Sequence, residues 1–138
     1  MRLHKDAKVD LISHVPLFAG CSKKELRAIA SLADEIDLPE GKVLIKEGER
    51  GREFFVLLDG RVDVRRKGSS IDTMESGDFF GEVALVSDAP RNATITALTP
   101  LRVLVIIDRD FKRLLGQTPE IQRKVLIALA DRLAPEAV

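Results

Sequence analysis

Apolar positions along the chain change their spacing twice, and the changes divide 138 residues into three zones. Residues 1–36 follow a helical period. Ser22 with Glu25 three positions later forms a capping box, and Leu26, Ile29, Ala30 and Ala33 continue as an apolar stripe. Ahead of it, "HVPLFAG" (14–20) is an apolar turn bounded by proline and glycine, suited to docking this helical part onto the rest. From 37 to 107 the period shortens. "KVLIKEG", "REFFVLLDG", "RVDVRRKG", "SSIDTMESG", "ATITAL" and "LRVLVII" are short β-rich runs, most punctuated by glycine about every 8–12 residues, which predicts a small antiparallel barrel or sandwich. Gly48, Gly51, Gly60, Gly68 and Gly77 mark its turns and close backbone approaches.

Residues 108–138 return to a helical period. Asp108 is expected to cap a short helix carrying Phe111, Leu114 and Leu115 and ended by Gly116. Thr118-Pro119-Glu120 then combines a cap, a first-turn proline and an acid near the positive end of the helix dipole. Ile121, Val125, Leu129 and Leu133, flanked by Leu126 and Ala130, give the last helix an apolar face. The predicted fold is therefore α+β: one domain over 1–138, an antiparallel β-roll resembling a small jelly-roll barrel, flanked by N-terminal helices and a C-terminal helix.

Composition narrows the function. Twenty-two basic and 22 acidic side chains cancel, so no chain-wide field favours nucleic acid or an acidic membrane. The local cluster Arg65-Arg66-Lys67, next to Gly68, is expected to be a solvated hairpin tip. No apolar run approaches the ~20 residues of a membrane span, and "MRLHKDAKVD" lacks a signal-peptide core, so a cytoplasmic location is expected. A single cysteine, Cys21, allows no internal disulfide; His4 and His14 are the only histidines, and no metal site is expected. Asp78 is expected to serve a turn or a cap. No nucleophile–base pair can be assembled, so the chain is not expected to be an enzyme.

The chemistry concentrates in "GDFFGEVALVSDAPRNATITA" (77–97). A strand-like segment ends at Phe79-Phe80, and Gly81-Glu82 opens one helical turn, Val83-Ala84-Leu85. Amides at such a start favour an anion, and the planar fork of Arg91 suits two phosphate oxygens. Glu82, when ionised, only accepts hydrogen bonds and suits a pair of hydroxyls. An anion and a hydroxyl side by side describe a sugar phosphate; the competing possibility is a structural Glu82–Arg91 ion pair.

These residues are similar to the cyclic nucleotide-binding domain family, found in the bacterial catabolite activator, protein kinase A regulatory subunits and cyclic nucleotide-gated channels. The phosphate-binding cassette (79–94) of that family is matched by Phe80-Gly81-Glu82-Val83-Ala84-Leu85 and Pro90-Arg91-Asn92-Ala93-Thr94. Its first glycine motif is matched by "LIKEGERG" (44–51), "FFVL" (54–57) and the "GRVDV" strand from Gly60; the resemblance covers about residues 11–134. It implies that Glu82 binds the ribose 2′-hydroxyl and Arg91 the cyclic phosphate, with amides near Gly81, Ala84 and Asn92 completing the cradle. Val64 and Met74 fall where relatives contact the base, and Ala93 lies within the cassette. A threonine after the arginine often accompanies cGMP preference in the family. Asn92 stands there instead, so cAMP is the expected ligand and cGMP the alternative.

The resemblance further implies that the C-terminal helix is a lid, with Leu129, Arg132 and Leu133 as candidates to cover the base. Output is expected through a protein partner, through self-association by that helix, or through a domain outside this chain. A DNA-binding helix-turn-helix, as in the catabolite activator, is not expected in the residues before Val138. The alternative from a different class is a protein-interaction module that keeps the fold without a ligand.

Overall fold

The structure, a computed structural model, describes residues 5–133, with side chains from 7 to 131. Helix α1 (Lys5–Ser13), a 3-10 turn (Pro16–Phe18) and α2 (Lys23–Leu32) lead into the strands. These are β1 (Asp34–Leu38), β2 (Val43–Ile45), β3 (Glu53–Asp59), β4 (Val62–Arg66), β5 (Ser69–Met74) and β6 (Phe79–Phe80). Helix α3 (Glu82–Ser87) interrupts them before β7 (Thr94–Ala97) and β8 (Leu101–Ile107). Helices α4 (Asp108–Gln117) and α5 (Pro119–Leu133) close the order. The strands form two antiparallel four-stranded sheets, β1-β8-β3-β6 and β2-β7-β4-β5, so the fold is the expected β-roll with flanking helices.

The central strand pair explains why "FFVL" and "LRVLVII" are apolar without a break. Phe55, Leu57, Leu101 and Val103 face into the roll, against Ile45, Val62, Val64 and Ile95 of the other sheet. Phe54, Val56, Leu104 and Ile106 point the opposite way, into a second core built with the helices. A strand buried on both faces has no polar alternation to show. Phe54 stacks on Phe111 of α4 with centroids 4.4 Å apart, which ties the helical layer to the roll.

The N-terminal signals hold. Ser22 accepts the Glu25 amide at 3.1 Å while Glu25 accepts the Ser22 amide at 2.7 Å, completing the capping box. Leu17 and Phe18 of the "HVPLFAG" turn are buried in the helical core. Lys124 of α5 donates to the carbonyls of Pro16 and Ala19 at 2.7 Å each, so the last helix is moored to this turn. Asp78 takes the expected turn role, accepting the Glu75 amide at 2.9 Å.

Four expectations need correction. The helical zone stops before 36, because Asp34–Leu38 is strand β1; it is an edge strand with mostly exposed side chains, so its sequence "DEIDL" carries little hydrophobic signal. Gly116 does not end α4, which runs on to Gln117, and Asp108 lies inside its first turn rather than capping it. Leu126, expected beside the apolar stripe of α5, is 65% exposed, and Ala130 is also exposed. Among the described side chains, the buried stripe is the narrower Ile121, Val125 and Leu129, and Leu133 lies outside them. Finally, the basic cluster is not uniformly solvated. Lys67 and Gly68, with φ of 53° and 81°, make the tight turn between β4 and β5, and Arg65 pairs with Asp63 at 2.7 Å. Arg66 instead reaches inward to the Asn92 carbonyl at 2.9 Å.

Candidate functional site

A cavity of about 380 Å³ opens at one end of the roll, where α3 and the loop 88–93 meet the sheet β2-β7-β4-β5. All ten residues expected at the site line it. Phe80, Gly81, Glu82, Val83 and Ala84 come from the β6–α3 junction, Arg91, Asn92 and Ala93 from the loop before β7, and Val64 and Met74 from β4 and β5. Val64 and Phe80 also belong to the core of the roll, so their place in the wall and their packing role coincide.

Arg91 is held from both sides. Its amide donates to the Glu49 carbonyl, and its carbonyl accepts from the Gly48 amide, both at 2.8 Å, so the loop runs as a short bridge beside residues 48–50. Its guanidinium donates through Nη1 to the Gly81 carbonyl at 2.8 Å and through Nη2 to the Glu53 carbonyl at 2.7 Å. Only 6% of the residue is exposed. Burial lowers the guanidinium pKa, and the nearby Glu53 and Glu82 carboxylates oppose that shift. The group stays charged, since arginine starts far above neutrality. Two of its five N–H groups are committed to the two carbonyls, which fixes the fork without neutralising it.

Two glycines make room for this arrangement. Gly81 has φ +99°, a left-handed conformation that side chains rarely adopt, and a Cβ there would lie 2.8 Å from the Glu53 carbonyl oxygen. A Cβ on Gly51 would sit 2.3 Å from Arg91 Nε and 2.4 Å from its Cζ, so the guanidinium approaches the Gly51 backbone too closely for any side chain there. Glu82 is the first residue of α3 and has 0% exposure. A buried acid therefore stands close to a buried base, beside a cavity whose wall is largely apolar.

Six further residues that the sequence did not single out for the site also line the wall: Ile45, Arg66, Ile71, Asp72, Ile95 and Asp131. Alternation along β4 and β5 could have suggested Arg66 from Val64 and Asp72 from Met74, but only the strand register decides which residues face inward, and Ile71 falls at a register shift. One expected contributor is absent. Leu129, a candidate to cover a ligand, packs into the helical core and does not line the cavity. Arg132 and Leu133 lie outside the described side chains, as does His4. Helix α5 reaches the cavity through the exposed Asp131. Among the described residues, no group of three or more His, Cys, Asp or Glu is arranged to hold a metal ion, and no helix is long and apolar enough to cross a membrane.

A family model for the cyclic nucleotide-binding domain matches residues 35–118. The chain belongs to that family. Among curated proteins it is 36% identical over 115 residues to a cAMP-dependent protein kinase regulatory subunit of Aspergillus niger, covering 82% of this chain and 28% of that protein. The corresponding subunit of Yarrowia lipolytica is 37% identical over 107 residues, covering 76% and 28%. The chain thus spans a little over a quarter of the length of these relatives. Solved structures of the family superpose over nearly all of it. A protein kinase A regulatory domain bound to Sp-2Cl-cAMPS has a TM-score of 0.79 at 31% identity, covering 97% of this chain and 94% of that one. The catabolite activator protein of Thermus thermophilus has a TM-score of 0.76 at 25% identity, covering 86% and 58%.

Proposed function

We propose that this cyclic nucleotide-binding domain binds a 3′,5′-cyclic purine nucleotide, cAMP, and serves as a non-catalytic sensor module in the cytoplasm. The observation that carries the reading is the Arg91 guanidinium. It is 6% exposed, aimed by two backbone carbonyls, and set beside the fully buried Glu82 at one end of a cavity of about 380 Å³. A fixed, desolvated cation next to a fixed acceptor suits a ligand with an anion and a hydroxyl on one rigid ring. In this assignment Arg91 binds the cyclic phosphate with the amides near Gly81, Ala84 and Asn92, and Glu82 accepts from the ribose 2′-hydroxyl. Phe80, Val83 and Ala93 pack around the sugar phosphate, and Val64 and Met74 contact the base. The relatives that were solved with cAMP or a cAMP analogue support this choice of ligand.

Helix α5 is the element we assign to signal transmission. It joins the rim of the cavity, at Asp131, to the Pro16–Phe18 turn, through Lys124. A ligand that binds better when α5 lies over the cavity shifts the helix toward that position. Likeness to kinase regulatory subunits makes a protein partner the receiver of that shift.

The ribose assignment has its own test. Wild type should prefer cAMP over 2′-deoxy-cAMP by about tenfold, the equivalent of one charge-assisted hydrogen bond. In Glu82→Ala the two ligands should fall within about twofold of each other. Equal affinities already in wild type would remove Glu82 from the ribose.

A further inference from the structure

The cavity contains a carboxylate that the binding of a sugar phosphate does not use. Asp72 stands directly opposite Val64 in the β4–β5 ladder, so the two side chains project from the same face of the sheet, and both line the cavity. Around it the wall is apolar, formed by Ile71, Met74 and Ile95. Asp72 Oδ1 accepts the Thr73 amide at 2.8 Å, which orients the carboxylate, and a carboxylate has further lone pairs for a second donor. On the same wall, Arg66 is anchored to the Asn92 carbonyl at 2.9 Å through Nε, one of its five donors. With Arg91 and Glu82 holding phosphate and ribose, this wall is where the base lies.

An ionised carboxylate only accepts hydrogen bonds. Purines differ at position 6, where adenine carries an amino group that donates and hypoxanthine or guanine carries an oxygen that accepts. We propose that Asp72 selects a 6-amino purine over a 6-oxo purine by accepting a hydrogen bond from the exocyclic amino group. Arg66, across the same wall, supplies the complementary donor for a ring nitrogen. A 6-oxo base placed the same way sets oxygen against carboxylate, and it has to shift before its own N1–H can reach Asp72. The inference rests on the cyclic-nucleotide reading of the site and adds the residue that reads the base.

Competition of cAMP and cIMP against a fluorescent cyclic nucleotide probes this edge of the base, since the two differ only at position 6 and the adjoining ring nitrogen. Wild type should favour cAMP by about tenfold, the discrimination expected of one well-placed hydrogen bond to a base. Asp72→Asn should bring the two ligands within about twofold, because a carboxamide can donate to the 6-oxygen. Asp72 is exposed on its strand, so the substitution leaves the core untouched. Asp131→Asn, at the other exposed carboxylate of the cavity, should keep the wild-type preference. A preference that survives Asp72→Asn, that is lost in Asp131→Asn, or that is absent from wild type overturns the assignment of Asp72. Failure of wild type to bind either nucleotide would instead bring down the underlying reading of the site.

Discussion

Arg91→Ala is expected to lower cAMP affinity by roughly 100-fold or more. The guanidinium keeps three N–H groups beyond the two given to the Gly81 and Glu53 carbonyls. Two of them meeting phosphate oxygens, at about 1.5–3 kcal/mol each for hydrogen bonds to a charged group, amount to about 3–6 kcal/mol. Each 1.4 kcal/mol is a factor of about ten. The fold should survive, because the loop around residue 91 is also pinned by its own amide and carbonyl to Glu49 and Gly48. Loss of the side chain leaves two carbonyls without their donor, a cost of about 1–3 kcal/mol that a thermal melt will register. Arg91→Lys should recover only part of the affinity, since a point charge on a flexible stem cannot serve two carbonyls and a phosphate together. Fluorescence titration of the three proteins gives the comparison. An Arg91→Ala protein that melts as a folded domain and binds like wild type would contradict the phosphate assignment.

Gly51→Ala should weaken cAMP binding by about 10- to 100-fold without replacing any residue proposed to meet the ligand, an effect of about 1.4–2.8 kcal/mol. The new methyl would overlap Arg91 at Nε and Cζ, at 2.3 and 2.4 Å. The atoms met are those of a side chain, which yields by swinging aside. That movement surrenders the bonds to Gly81 and Glu53 and, with them, the aim of the fork. Stability should fall by only about 1–2 kcal/mol, the worth of the displaced hydrogen bonds. Gly116→Ala provides the contrast. It lies within α4 with no atom near a Cβ, and it should leave affinity unchanged while stabilising the helix by up to about 1 kcal/mol. Calorimetric affinities for the two variants separate a general glycine effect from a local one. Wild-type affinity in Gly51→Ala would mean that the close packing of backbone on guanidinium does not hold Arg91.

The parts of this domain legible in the sequence are those with dense local signals. The cassette residues are contiguous, the turn glycines are regularly spaced, and the capping box and the Thr118-Pro119-Glu120 start carry specific backbone chemistry. Strand β1 was not legible because an exposed edge needs no apolar face. The wide stripe on α5 misled because, among the described side chains, Ile121, Val125 and Leu129 meet the helical core while Leu126 and Ile127 are exposed. Arg66 and Asp72 escaped notice for a different reason. Both sit in polar stretches that suggest a solvated hairpin, and only the pairing of Val64 with Asp72 turns that stretch toward the cavity. Local chemistry is written along the chain; which face a polar residue takes is set by partners distant in sequence.

The most direct test of the central claim is a calorimetric titration of the wild-type domain with cAMP, run beside 5′-AMP. The account predicts saturable one-to-one binding of cAMP in about the micromolar range, equivalent to about 8 kcal/mol, and much weaker binding of the open-chain nucleotide. No heat and no stabilisation with cAMP or any other 3′,5′-cyclic purine nucleotide would contradict it.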